Sequence, residues 1–555
     1  MLLLVGMPLP YMPARAQERT QARSMVMTRD GIVAAESPLA AQVGATILAR
    51  GGNAVDAAVA TNAAMGVVAP MMNGIGGDLF AIVYDAKTGK LYGLNASGWA
   101  PASLSINYLK SQGLDSMPTA GIHSVTIPGA VDGWDKLLSR FGSKQFPELL
   151  APAIHYAREG FPVTEMVAAD WEESEGKLAA TRNASATFLP NGRPPRAGEL
   201  FRDPELAHSL ELIASGGRDA FYKGEIARDT VAASSKIGGT MTAADFAEFS
   251  SEWVEPISTT YHGWTVYEIP PNGQGIAVLE MLNIMETLPI SKFGHNSADA
   301  LHAMIEAKKL AYADLLRYVA DQKFSKVPVA GLLSKEYAAQ RAKLIDMSKA
   351  NCRVAPGKPE FPPTGDTTYL SVVDRDGNMV SLIQSNFSSF GSGIVPEGTG
   401  FALQNRGGLF SVDPASPNAL AGHKRPLHTI IPGFMERGQD RIAFGIMGGF
   451  NQAQAHAQFV ANIVDYGMNI QAALEAARFS KHTFDGCDVK VEGRIPGDVL
   501  TALAGRGHQL DIRSSFSLDM GAGQAVRRDF STGVNFGASD PRKDGEAIPE
   551  HPPPR

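Results

Sequence analysis

Cysteine is almost missing from this chain of 555 residues; there are two, Cys352 and Cys487. Neither stands in a Cys-x-x-Cys pair or a metal-ligand spacing, so no zinc site is indicated. The two thiols can form one disulfide or stay as separate buried groups. Long apolar runs are missing too. No stretch reaches the roughly 18 residues that a membrane-spanning helix needs. The longest candidate, Val55 to Met71, carries Asp56 and Asn62 and reads as a buried helix. Basic excess is absent: the formal net charge is −7, so no cationic surface for nucleic acid is implied. No Gly-x-Ser-x-Gly elbow lies between a strand and a helix, which sets aside a serine hydrolase of the α/β-hydrolase type. The glycines of Asn73–Asp78 precede a strand-like run, the reverse of a dinucleotide fingerprint. No internal repeat is visible. What remains, 44% hydrophobic and 19% charged residues, describes a globular protein with ample core, in several domains or one large α/β unit.

Met1–Val5 is a short apolar start, and Ala14-Arg15-Ala16 before Gln17 has the small-x-small form of a signal-peptidase site. A leader over 1–24 and export to the periplasm or beyond are expected; a disordered leader and a cytoplasmic location are the other readings. Glu36 to Arg50 reads as a helix with Ser37 as cap and Pro38 in the first turn, ended by Gly51-Gly52. Asn53 caps a second helix to about Met65. Residues 124–150 and 203–237 read as helix-rich, and Ser297 caps a long helix to Tyr318. His302 on that helix reads as a packing or surface histidine rather than a ligand. Residues 334–355 read as loosely helical, and the Pro-rich run 356–363 as an exposed linker. Beyond it Tyr369–Asp374 and Met379–Gln384 alternate around Asp376-Gly377, a hairpin signal. Arg441–Met447 reads as a strand, followed by Gly448-Gly449 and a helix from Gln452 to Tyr466. The tail 546–555, with four prolines, reads as disordered.

The most informative stretch is Gly365-Asp366-Thr367-Thr368-Tyr369-Leu370-Ser371-Val372-Val373-Asp374. Threonine is a weak nucleophile without a base beside it. Cutting the chain between Asp366 and Thr367 would supply one, because the new α-amine titrates at about 7.7–8.0. The Thr367 hydroxyl would first attack its own preceding carbonyl, and the mature protein would repeat this chemistry on an external amide. A Thr-Thr pair alone is also an ordinary strand entrance. Together with Ser388–Ile394, Lys424–Leu427, Asp465–Asn469, Ala477–Phe479, Gly537–Arg542 and Gly74–Gly77, the stretch resembles the γ-glutamyltranspeptidase (glutathione hydrolase) family along nearly the whole chain.

The resemblance implies an α+β fold, the αββα four-layer sandwich of the N-terminal-nucleophile hydrolases. It implies two subunits from one precursor, 25–366 and 367–545, and neither metal nor organic cofactor. The partners implied are a small-molecule amide and a water or amine acceptor. It puts Thr367 as nucleophile, Ser385 as the assisting hydroxyl, and Gly448 and Gly449 as oxyanion donors.

The chain also departs from the family. Ser97 stands where an arginine clamps the substrate α-carboxylate, and Gly408 and Leu409 stand at the acidic positions for its α-amine. His428-Thr429 replaces a Ser-Ser pair, Phe387 replaces a substrate-binding Asn (Asn386 is adjacent), and the lid segment between Phe410 and Lys424 is short. Arg406 and His428 are candidate substitutes for carboxylate recognition, each readable as structural too. The substrate-side candidates are therefore Ser97, Asn386, Arg406, His428 and Thr429. The expected activity is mainly hydrolysis of a γ-glutamyl or related acyl amide. A glutaryl-, cephalosporin-acylase- or oxamate-like specificity is the alternative, and a non-catalytic binding protein of the same fold the second class.

Overall fold

The computed structural model describes residues 21–354 and 366–552. The proposed signal-peptidase site and the Pro-rich linker lie outside the described residues.

Two seven-stranded sheets, antiparallel throughout, form the centre. One runs in the order Glu546–Pro549, Ile32–Ala35, Asp366–Val373, Met379–Phe387, Asp78–Asp85, Lys90–Ala96, Glu252–Val254. The other runs Val26–Thr28, Val534–Ser539, Gly523–Asp529, Asp440–Ile446, Gly433–Arg437, Trp264–Glu268, Ile257–Tyr261. Alternation divides each strand between two cores. From strand Asp366–Val373, Tyr369 and Val373 join Phe80, Ile383, Phe434 and Val526 between the sheets. Leu370 and Val372 face the other way, into the core shared with helices Pro38–Ala49 and Ala54–Val68. The second sheet is covered by helices Gly275–Glu286, Ala298–Tyr318 and Asn451–Val464. The result is the expected helix–sheet–sheet–helix sandwich. The sheets approach so closely at Gly445 that an added Cβ would overlap the Tyr369 ring.

The local signals hold at several places. Asn53 accepts from the N–H groups of Val55 and Asp56 in a capping box with Asp56, and the helix it opens is buried along its whole length. Ser297 caps Ala298–Tyr318 through the Ala300 N–H. The hairpin pairs Val373 with Met379. Ser37 occupies the N-cap position of its helix, but its side chain makes no capping hydrogen bond.

One expectation is corrected. The tail is not disordered through 546–555: Glu546–Pro549 is an edge strand on Ile32–Ala35, with Ala547 opposite Ala34 and buried between the sheets. Glu550 extends it by donating its N–H to Gly31 O and pairing with Arg375. Proline-rich composition hid this strand, because Pro549 is tolerated only at an edge. Ala22 and Arg23 are anchored by their N–H groups on the Glu475 carboxylate.

The cysteine alternatives are resolved as a disulfide, Cys352–Cys487, with 4.9 Å between Cα atoms. It joins a residue before Thr367 to one after it. If the chain is cut ahead of Thr367, the pieces are expected to run as one species on a denaturing gel without reductant and as two with it. Separation without reductant would show that the bridge does not hold the halves together.

Candidate active site

Thr367 sits where the sheet register breaks. Asp366 pairs with Phe387 but Thr368 pairs with Gln384, so Ser385 and Asn386 together oppose Thr367 across a bulge. The bulge turns the two hydroxyls toward each other, and Thr367 Oγ1 donates to Ser385 Oγ at 3.2 Å. Ser385 Oγ also accepts the Phe387 N–H at 2.7 Å. Phe387 has φ of 78°, a strained conformation for an aromatic residue. The second threonine turns away: Thr368 donates to Glu36 Oε2 at 2.8 Å.

On the other side of Thr367 lies the turn from strand Asp440–Ile446 into helix Asn451–Val464. Gly448 and Gly449 have φ of 120° and 58°, and both need to be glycine or strained. The turn is held from behind. His456 Nε2 accepts the Ile446 N–H at 3.0 Å and its Nδ1 meets Glu268 at 2.9 Å. Gln274 Nε2 donates to Gly449 O at 2.9 Å and also to Thr429 O. Gln452, two residues into the helix as its ends are drawn, donates from Nε2 to Thr367 Oγ1 at 3.3 Å. A cleft of about 590 Å³ opens beside Gly448, with Lys177, Ser388, Ser389, His482 and Phe516 in its wall.

Arg406 completes a circuit. It is fully buried, donates from Nη1 to Thr429 Oγ1, and stacks its guanidinium 4.4 Å from the centre of the Phe387 ring. Its Nε and Nη2 have no hydrogen-bond acceptor among the described residues. Burial pushes its pKa down to about 9, so it is still a cation at neutral pH. The carboxylate it feels is Asp78, whose own pKa burial pushes up to about 7 against the pull of Arg406 and the Gly98 N–H. His428 lies against Asp78, Nε2 to Oδ2 at 2.9 Å, while its Nδ1 accepts the Ile430 N–H at 3.3 Å. Burial and then Arg406 hold this imidazole neutral, so Nε2 is the donor.

The sequence candidates therefore separate into two groups. Thr367, Ser385, Gly449, Thr429 and Arg406 are linked by contacts, and His428 joins through Asp78. Ser97 and Asn386 do not join them. Ser97 Oγ donates to Asn95 Oδ1 at 2.7 Å, accepts from Asn272, and its carbonyl accepts from Arg425. Asn386 Nδ2 donates to Pro70 O and Asn73 O, tying down the loop after helix Ala54–Val68. Both are buried; Asn386 holds backbone, and the Ser97 hydroxyl is taken up by the Asn95 and Asn272 side chains. Gln452, Gln274 and Asp78 were missed by sequence reasoning. The available signal was polar side chains in and beside otherwise apolar helices and strands.

His302 is buried rather than at the surface, Nδ1 to His508 Nε2 at 2.8 Å and Nε2 to Asp346 O at 2.9 Å. With Glu306 these histidines bring three potential metal ligands within 4.8 Å. The Glu306 carboxylate, however, is already paired with Lys309 at 2.5 Å.

The sandwich, with a threonine on a central strand facing a glycine turn, defines an N-terminal-nucleophile hydrolase fold. Residues 40–550 match the family model for γ-glutamyltranspeptidase, and the chain belongs to that family of hydrolases. A cephalosporin acylase from Bacillus halodurans superposes with a TM-score of 0.90 at 43% identity, covering 98% of this chain and 100% of that one. A glutathione hydrolase-like proenzyme of Bacillus subtilis is 36% identical over 95% of this chain and 99% of its own length. An oxamate amidohydrolase proenzyme of Klebsiella pneumoniae is 33% identical over 93% and 98%.

The raised pKa of Asp78 has a definite sign. A carboxyl whose folded pKa of about 7 lies above its usual 3.8 contributes most below the lower value. Its contribution falls as pH rises through that window. Melting of wild type and of Asp78→Asn across pH 4 to 7 checks this: wild type is expected to lose stability relative to the variant as pH rises. A constant difference would show that Asp78 titrates normally.

Proposed function

We propose that the chain cuts itself between Asp366 and Thr367, and that the mature protein hydrolyses an amide whose acyl group ends in a carboxylate. In the cut, Thr367 Oγ bonds to the Asp366 carbonyl carbon, its proton passes to the Thr367 nitrogen, and the peptide C–N bond breaks. Water then hydrolyses the ester and leaves a free α-amine on Thr367. In turnover that amine takes the Thr367 hydroxyl proton as Oγ attacks the substrate carbonyl. The proton passes to the departing amine, and water or an acceptor amine releases the acyl group. The Gly448 and Gly449 N–H groups, at the start of a helix, are the proposed oxyanion donors.

The observation that carries the acyl specificity is Arg406, buried, cationic and with two donors unmatched by the described residues. A guanidinium in that state calls for a bidentate anion such as a carboxylate. The family's clamps for an α-carboxylate and an α-amine are replaced by Ser97 and by Gly408 and Leu409, and Ser97 is engaged elsewhere. An acyl chain with one terminal carboxylate and no α-amine suits this pocket better than a γ-glutamyl group. The names of the cephalosporin acylase and oxamate amidohydrolase relatives agree with a branch of altered acyl preference. Export is the proposed location, supported by a disulfide, a bond that persists in oxidising compartments.

Two measurements test this. Thr367→Ala is expected to stay uncut and inactive by intact mass and by amide hydrolysis. A glutaryl anilide is expected to be hydrolysed in preference to a γ-glutamyl anilide, and Arg406→Met is expected to lower kcat/KM for the former by roughly ten- to a hundredfold. Preference for the γ-glutamyl compound would overturn the altered pocket.

A further inference from the structure

We infer that Gln452 is a catalytic residue, which holds the oxygen of Thr367 in line for attack. The inference rests on the reading of Thr367 as nucleophile. Gln452 is fully buried, and both ends of its amide are used. Oε1 accepts the Ile431 N–H at 3.1 Å. A backbone N–H can only donate, so the oxygen end of the amide must face Ile431 and the NH2 end must face Thr367. The contact at Thr367 is then fixed in sense: Gln452 Nε2 donates and Thr367 Oγ1 accepts, at 3.3 Å. The Thr367 hydrogen is directed to Ser385 Oγ at 3.2 Å. One lone pair of the threonine oxygen is held by Gln452, and the other is left for the carbonyl carbon.

The same contact has a use during the reaction. As Thr367 Oγ forms its bond to the acyl carbon, its proton leaves for the α-amine and the oxygen gains negative charge. It gains charge again when water breaks the acyl–Oγ bond and threonine departs. A fixed N–H on that oxygen stabilises it in both steps without reorganising. Placement supports the role. Gln452 lies in the first turn after Gly448-Gly449, and its own N–H donates to Gly449 O at 3.2 Å. The nucleophile's donor and the proposed oxyanion cradle are therefore built on one turn and keep their relative geometry. A purely structural glutamine would be accounted for by Ile431 alone; the second amide end is aimed at the reacting oxygen.

Gln452→Glu keeps an acceptor for Ile431 N–H and removes the donor when ionised; Gln452→Met keeps the volume and removes both. With folding checked by melting, self-cutting is timed by intact mass, and kcat and KM are measured on the glutaryl anilide. The rate of cutting and kcat are expected to fall roughly ten- to a hundredfold in both variants, with KM unchanged. Folded Gln452→Glu protein that cuts and turns over at wild-type rates would overturn the inference, as would a raised KM with kcat intact. A Thr367→Ala chain that is still cut and active overturns the nucleophile reading itself, and this inference with it.

Discussion

The bulge between strands Asp366–Val373 and Met379–Phe387 is the constraint on which the site depends. Regular antiparallel pairing would leave a single residue opposite Thr367. With Ser385 and Asn386 both opposite it, the strand bends and places Ser385 Oγ against Thr367 Oγ1. It also forces Phe387 to positive φ, and that strain is held from two sides. Ser385 Oγ accepts the Phe387 N–H, and Arg406 lies over the Phe387 ring. The hydroxyl pair and the proposed acyl pocket are thus consequences of the same extra residue.

From there a closed circuit of contacts runs around Thr367. Thr367 leads to Ser385, Phe387, Arg406 and Thr429, then through Gln274 to Gly449, and back through Gln452. Every member is buried or sits in a backbone turn, so side-chain freedom is small. In such a setting Arg406 is costly unless a ligand anion satisfies it, because Asp78 is itself driven toward neutrality by burial. On the proposed reading, the substrate carboxylate supplies the acceptor that the described residues leave missing at Arg406 Nε and Nη2.

The layered fold was legible only through the family resemblance, whereas the residues themselves showed local elements: the hairpin at Asp376-Gly377, the capped Ala-rich helix after Asn53, the glycine pair after a strand. The tail strand was not, since four prolines and only Ala547 and Ile548 as apolar residues give too short a pattern. At the proposed site, motif order grouped Thr367, Ser385 and the glycines, and contacts join Thr367 to Ser385 and to the helix after the glycines, whereas the Ser97 and Asn386 side chains are engaged elsewhere. Position in a motif says which backbone a residue sits on but not which way its side chain turns. Gln452 was hidden for another reason. Helix Asn451–Val464 opens Asn-Gln-Ala-Gln-Ala-His-Ala-Gln, a polar alternation that spreads around the helix and marks no buried face. Instead these polar groups are buried, and each glutamine and the histidine is bonded inward: Gln452 to Ile431, Gln454 to Lys481, His456 to Ile446, Gln458 to Phe479.

Sheet topology also fixes the order of events in the proposed cut. Strand Asp366–Val373 is interior, flanked by Ile32–Ala35 and Met379–Phe387. Across that sheet, strands from before the cut site (Ile32–Ala35, Asp78–Asp85, Lys90–Ala96, Glu252–Val254) interleave with strands from after it (Glu546–Pro549, Asp366–Val373, Met379–Phe387). The second sheet mixes the halves in the same way, with Ile257–Tyr261, Trp264–Glu268 and Val26–Thr28 completing strands from the later half. Neither half can build either sheet alone. The bulge that aligns Thr367 with Ser385 and the turn that brings Gln452 to it are built from the later half, while Ile32–Ala35 of the earlier half flanks the nucleophile strand on its other side. The proposed cut fits a chain that has already folded, because a chain cut earlier would have to form these mixed sheets by association.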